Sequence, residues 1–304
     1  MCGAWLDAKV RGGDGAYCRF ENRPGGIAAL ASFCREHGVE LVVMEATGGH
    51  ERLAFSLLWA EGMPSAIVNP RSVRQFAEAM GLLEKTDRID AEAIAWYAEA
   101  KRIAPRPPAS ARQQALAAAV TRLRQLVELR VMQTNQRRLV HDPHAGRSFD
   151  ELLALVGRQI RELEGRIVTL IGDDPLWASL DQSFRSIKGV AGRTVARLLA
   201  EMPEIGTLSG KAVAKLAGLA PLAKDSGKRV GRRSVRGGRS TVRSILFLVA
   251  AVVAKHEPDF QAFRQKLETA GKPKKAIRIA IARKLLVRLN AKARDVRDYK
   301  HLPA

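Results

Sequence analysis

Over the first hundred residues, short apolar runs alternate with segments whose apolar positions recur every three to four residues, the pattern of an α/β domain. Ala4–Leu6 and Gly15–Phe20 are predicted strands, separated by the glycine-rich turn Gly12-Gly13-Asp14-Gly15. Ile27 to His37 is predicted helical and stops at Gly38. Leu41-Val42-Val43-Met44 is an uninterrupted apolar run, as expected of a strand covered on both faces. Glu51–Glu61 then predicts a helix, and Ser65–Val68 a strand closed by Asn69-Pro70. Two further helices are predicted over Ser72–Met80 and Ala91–Lys101.

Pro105, Pro107 and Pro108 mark a linker. Beyond it, Ala111–Val140 and Phe149–Ile171 are long periodic segments, with Leu116, Val120, Leu123, Leu126 and Val127 on one stripe and His141-Asp142-Pro143-His144 as the turn between them. Such a pair fits either a projecting dimerisation arm or an ordinary intramolecular bundle. From Leu176 the pattern is helical and punctuated by glycines; Ile187-Lys188-Gly189-Val190-Ala191-Gly192 resembles a helix-hairpin-helix turn, whose amides can face a phosphate, or a plain helix–helix turn. Thr241–Lys255 and Lys275–Arg294 are predicted as the last helices, after a loop-like basic stretch from Asp225 to Arg239. The expected fold class is therefore α/β plus all-α: an N-terminal domain over residues 1–104, a central long-helix hairpin over 105–174, and a mainly helical C-terminal domain over 175–304. The element order of the first domain fits a ribonuclease-H-like (RuvC-like) fold.

Charge changes the picture most. The chain of 304 residues carries a net charge of +20, and from Ser226 onward 21 Lys and Arg face only Glu257, Asp259, Glu268, Asp295 and Asp298. The remaining 225 residues carry only +4 of that total. A polycationic end on a nearly balanced body is the electrostatic footprint of a nucleic-acid partner, because each neutralised phosphate releases a counterion. Aromatic residues are 5%, too few for a base-stacking platform of the RNA-recognition type. The longest apolar run, Ile245–Ala254, has ten residues, about half of what a bilayer span requires, and no charged leader with an apolar core opens the chain. Cys2, Cys18 and Cys34 form neither a disulfide framework nor a zinc motif. Together these predict a cytoplasmic protein with reduced thiols and no membrane partner.

Four carboxylates stand where a metal site would need them. Asp7 is expected to end the first strand and Glu45 the strand of residues 41–44, and Asp87 and Asp90 share one side of a helix start. In a ribonuclease-H-like sheet the two strands are neighbours, so Asp7 and Glu45 would converge. Hard oxygen ligands favour Mg2+ over zinc. Asp87 or Asp90 could equally cap the helix, and Glu45, before Thr47-Gly48-Gly49, could be a solvated loop acid. His50 is expected to be a solvated or packed side chain. A second group is Asp225-Ser226-Gly227 with Lys228, Arg229, Arg232, Arg233, Arg236, Arg239 and Arg243. Such cations would hold a phosphate and stabilise the charge of an in-line displacement; a plain backbone-binding loop has the same composition. Ser226, Ser234 and Ser240 are not separable as nucleophiles on these grounds.

These residues together resemble the insertion-sequence one-ten family of transposases, which are bridge-RNA-guided recombinases. The N-terminal part shows Asp7 after a short strand, Glu45-Ala46-Thr47-Gly48, Asn69-Pro70 and Lys85-Thr86-Asp87-Arg88-Ile89-Asp90-Ala91, similar to the family's RuvC-like DEDD domain. The C-terminal part shows Ala217-Gly218-Leu219-Ala220-Pro221, Asp225-Ser226-Gly227-Lys228, Gly237-Gly238-Arg239 and Val242-Arg243, similar to its transposase domain. Trp5-Leu6-Asp7 stands where the family has Gly-Ile-Asp. The resemblance implies that Asp7, Glu45, Asp87 and Asp90 bind Mg2+, and that Ser226 attacks a DNA phosphodiester to form a phosphoserine link. It further implies double-stranded target and donor DNA, a structured noncoding guide RNA, and homodimers assembling to a tetramer. A Holliday-junction-type nuclease using water, or a non-catalytic nucleic-acid-binding protein, are the alternative expectations.

Overall fold

The computed structural model describes residues 3–12, 15–84, 86–223, 225–227, 231 and 233–301, without the side chains of 299–301. It divides into two compact units, residues 1–109 and 110–304.

The N-terminal unit runs β1 (Trp5–Lys9), β2 (Tyr17–Glu21), α1 (Pro24–Glu36), β3 (Val42–Glu45), α2 (Glu51–Ala60), β4 (Ser65–Val68), α3 (Pro70–Ala79) and α4 (Asp87–Lys101). Every expected element of this unit is present, with ends shifted by a few residues. β1 and β2 pair antiparallel, with Asp7 opposite Arg19. β3 and β4 pair in parallel, with Glu45 opposite Val68. The expected neighbourhood of β1 and β3 is not hydrogen-bonded: among the described residues there are two separate two-stranded sheets. What joins them is α4, which packs on both β1 and β3.

Apolar residues explain the layering. Leu6, Ile27, Leu30, Met44, Ala54 and Leu58 form a core under α1 and α2. A smaller cluster of Val68, Val73, Ala77 and Ala93 seats α3 and α4. Local signals set the helix starts: the Asn69 side chain accepts from Arg71 N–H with Pro70 behind it, and Thr86 accepts from Ile89 N–H at 3.2 Å. α4 closes on Arg102 in the left-handed region, φ 48°.

The second unit holds the long antiparallel pair α5 (Ala111–Arg137) and α6 (Pro143–Gly172), then α7 (Pro175–Arg185), α8 (Gly192–Glu201), α9 (Gly210–Leu216), α10 (Ser240–His256), α11 (Pro258–Thr269) and α12 (Lys274–His301). α11 is an addition to the sequence expectation. One core runs from Leu116, Leu126 and Ile160 through Phe184, Leu198 and Leu219 to Leu246, Phe260 and Leu285, so half of the long hairpin shares its core with the C-terminal helices. The ten-residue apolar run lies in α10: Leu246, Val249, Ala250, Val253 and Ala254 are buried, while Leu248 and Val252 are exposed. Among the described residues no helix is long and apolar enough to cross a membrane.

Candidate active site

Asp7 lies at the centre of β1 rather than at its end, because Ala8 and Lys9 continue the ladder opposite Cys18 and Tyr17. Its carboxylate is 3% exposed. Tyr17 Oη donates to Asp7 Oδ1, and Arg19 Nε donates to the same oxygen at 2.8 Å. Burial alone would push this carboxyl up, but the hydrogen bonds from Tyr17 and Arg19 and the guanidinium charge outweigh it and hold Asp7 below its ordinary value. The same contact pushes the Tyr17 phenol up. Arg19 also reaches across to α4, where Nη2 stands 3.5 Å from Asp87 Oδ2. Next to it, the Arg88 guanidinium lies 5.5 Å from the centre of the Tyr17 ring.

Asp87 and Asp90 occupy the first turn of α4, where the free backbone amides favour negative charge. Glu45 ends β3. The turn after it is set by a residue that the sequence left unremarked, Glu51, whose carboxylate accepts from Thr47 N–H at 3.0 Å and Gly49 N–H at 2.8 Å. Burial would raise Glu51, but its own amide and those of Gly49 and Thr47 win, and it sits below its usual value. The capping role was legible as a carboxylate in the first turn of a helix after a Gly-Gly pair.

Asp7, Glu45, Asp87 and Asp90 all line one cavity of about 600 Å³ between the β1 and β3 segments, with Ala91, Ala95 and Ala98 of α4 along its wall. His50 is exposed and is not among the lining residues. The donor set is all oxygen, which suits a hard divalent cation. Its placement does not: among the described residues, no group of three or more His, Cys, Asp or Glu side chains could hold a metal ion. The cation between Asp7 and Asp87 is Arg19.

In the C-terminal unit, Leu222 and Ser234 exchange backbone hydrogen bonds of 2.8 and 3.4 Å and close a loop. Inside it, Asp225 accepts from Gly231 N–H at 2.9 Å and from Arg233 Nη1 at 2.6 and 2.8 Å. Arg233 first and the Gly231 amide second hold the Asp225 carboxyl below its usual value. Ser226 is exposed beside this ion pair; Ser234 is committed to the loop closure, and Ser240 begins α10. Lys228, Arg229 and Arg232 lie outside the described residues. Arg236 is exposed. Arg239 and Arg243 are engaged within the unit. Arg239 makes two 2.6 Å hydrogen bonds to Glu204, and Arg243 Nη1 donates to Gly237 O at 2.6 Å. Arg239 N–H also donates to Leu216 O, so the Ala217-Gly218 and Gly237-Gly238-Arg239 motifs touch. A Cβ on Gly238, φ 62°, would stand 2.3 Å from Gly218 N. At the hairpin turn, Lys188 N–H is taken by Glu257 at 2.6 Å.

Two family models match the chain. Residues 12–140 match a transposase family of the DEDD type, and residues 181–265 match the transposase IS116/IS110/IS902 family. The first match contains Glu45, Asp87 and Asp90 and begins after Asp7; the second contains Ser226 and the basic loop. Pilin gene-inverting proteins of Moraxella lacunata and Moraxella bovis are each 29% identical over 293 residues, covering 93% of this chain and 90% of the relative. The chain thus carries the two transposase domains of the IS110 family and has pilin gene-inverting proteins as homologues.

Proposed function

We propose that this protein is a DNA transposase, a recombinase of an insertion sequence, and that its chemistry is divided between the acidic cavity and the Ser226 loop. The observation that carries this reading is that Asp7, Glu45, Asp87 and Asp90 line one cavity, in a unit whose residues from 12 onward match a DEDD-type transposase family. The homologues named for gene inversion, a DNA rearrangement, support the recombinase side of it.

In this reading the N-terminal unit is RuvC-like, the carboxylates are those of a divalent-cation site, with Mg2+ the hard cation their oxygens favour, and Ser226 is the nucleophile. Ser226 Oγ forms an ester with a DNA phosphorus, the phosphorus–oxygen bond to one strand end breaks, and that end leaves as a hydroxyl carrying the proton. Attack of the incoming strand's hydroxyl on the phosphoserine ester then restores Ser226 and joins the new strand. Ser226, Ser234 and Ser240 are all exposed or partly so; Ser226 is set apart by its place in the family-like Asp225-Ser226-Gly227 motif, on a lobe that Asp225 ties at both Gly231 and Arg233. Asp225 itself, held below its usual value by Arg233, is a poor proton acceptor and serves to shape the loop. Lys228, Arg229, Arg232, Arg233 and Arg236 would face phosphates. The remaining parts of the reading are double-stranded target and donor DNA, a structured noncoding guide RNA, a tetramer built from homodimers, and a division at residues 1–104, 105–174 and 175–304; the excess positive charge of the C-terminal end supports the nucleic-acid partners.

The test incubates the full chain with its element's flanking noncoding RNA, end-labelled target and donor duplexes and Mg2+. A protease-sensitive DNA–protein band on a denaturing gel is expected with the wild type and not with Ser226→Ala. Cleaved DNA without an adduct in either protein would replace serine attack with hydrolysis by water, as in a junction nuclease.

A further inference from the structure

Two carboxylates of the acidic cavity, Asp7 and Asp87, already share a cation supplied by the chain itself. Asp7 and Arg19 face each other across the β1–β2 ladder, and the guanidinium continues past Asp7 to Asp87 on α4. One step along the strand, Tyr17 donates to Asp7 and lies under Arg88, the residue after Asp87. β2 therefore clasps the start of α4 twice, through a charge pair and through a cation–π contact, and both contacts act on carboxylates or their immediate neighbours. Without such a cation, Asp7 and Asp87 would repel, and the 3% exposed Asp7 would be a buried charge held by the Tyr17 hydroxyl alone. With it in place, no three acidic side chains among the described residues are grouped to hold a metal ion.

We propose that Arg19 is a resident counter-cation that latches the carboxylate cavity in a metal-free arrangement, and that a divalent cation enters only by displacing the guanidinium from Asp7 and Asp87. A guanidinium between two carboxylates competes directly with an ion that needs the same oxygens, and a ligand can shift such an equilibrium only by its preference for the open arrangement. Removing Arg19 removes the competitor, so the cavity binds a divalent ion more tightly and β2 releases α4. The inference rests on the carboxylate-site reading above.

The test uses Mn2+ alone as the probe, with the unbound ion followed by electron paramagnetic resonance, on the full chain and on Arg19→Gln, Arg19→Lys, Asp7→Asn and the Arg19→Gln/Asp7→Asn double variant. Arg19→Gln should bind Mn2+ about tenfold more tightly than wild type, on the scale of one displaced charge-assisted contact. Arg19→Lys, with a charge but no planar fork to span both carboxylates, should fall between them. The gain should vanish in the double variant. Amide exchange over residues 87–94 should be faster in Arg19→Gln than in wild type without metal, a readout that does not require metal binding. Asp7-dependent binding that is equally tight in wild type and Arg19→Gln would overturn the latch and leave the metal site standing. No Asp7-dependent binding in any variant would overturn the carboxylate-site reading and the latch with it. Should Arg19→Gln fail to fold, Arg19→Lys decides alone: binding no tighter than wild type overturns the latch.

Discussion

The two units use arginine in opposite ways. In the N-terminal unit, Arg19 pairs with two carboxylates that line one cavity, Asp7 and Asp87. In the C-terminal unit, arginines are consumed by the architecture. Arg239 holds Glu204, Arg278 Nε donates to Phe247 O at 2.7 Å, Arg294 donates to Leu208 O, and Arg297 donates to Ile205 O and Pro203 O. Arg288 pairs with Asp259. Five of the 21 Lys and Arg that follow Asp225 are thus tied to carboxylates or backbone carbonyls of their own unit. The difference teaches that a charge count locates a partner's side of the molecule, whereas the cations available to that partner have to be found one by one.

The largest effect expected tests the C-terminal scaffold. Gly238→Ala combines a left-handed backbone with a backbone clash and should cost about 2–5 kcal/mol in urea unfolding. Next, Arg239→Ala removes two hydrogen bonds from the half-buried Glu204 carboxylate and should cost about 1–3 kcal/mol, while Arg236→Ala, at an exposed position, should stay within about 0.5 kcal/mol. Filter binding at several salt concentrations should reverse that order: Arg236→Ala weakens DNA binding and flattens its salt dependence by about one unit of slope. Equal binding losses in the two variants would erase the distinction between structural and available cations.

For the N-terminal unit the expectation is a pH dependence. Asp7 is held below its unfolded value of about 3.9, so its ionised form favours the folded state; the contribution is complete above that value and fades as the pH falls through the depressed native one. Asp7→Asn should therefore flatten the acid limb of stability below pH ~4 in thermal melts, with no comparable change near neutrality in its slope. The smallest effect concerns Cys34, which burial pushes up to about 11. Mass spectrometry after brief iodoacetamide treatment at pH 8 should find Cys34 unmodified in the folded chain and modified in urea.

The elements were legible wherever periodicity and punctuation agreed. Ser65–Val68 is the expected strand to the residue, and Ala111 begins the expected helix after the proline-rich linker. α11 was hidden because Glu257-Pro258 reads as a break although proline suits a first helical turn. Of the acidic cavity, the four carboxylates were readable as residues in their motifs, but the expected pairing of β1 with β3 is absent among the described residues, and it is α4 that packs on both strands. The role of Arg19 was not readable, since it depends on strand register: the Asp7–Arg19 pairing across the ladder sets this arginine against the carboxylate. Likewise, the engagement of Arg239 and Arg243 depends on Glu204 and Gly237 meeting them in space.

The alanines of α4 have a consequence for how this domain can vary. Ala91, Ala95 and Ala98 recur at helical spacing and face the cavity that separates the strand pairs. Their short side chains leave room along that wall of the cavity. A lineage could narrow or widen the chamber by point substitutions along that stripe, leaving Asp87 and Asp90 in the first turn of the same helix unaltered. The acids and the room around them are separately heritable on a single helix.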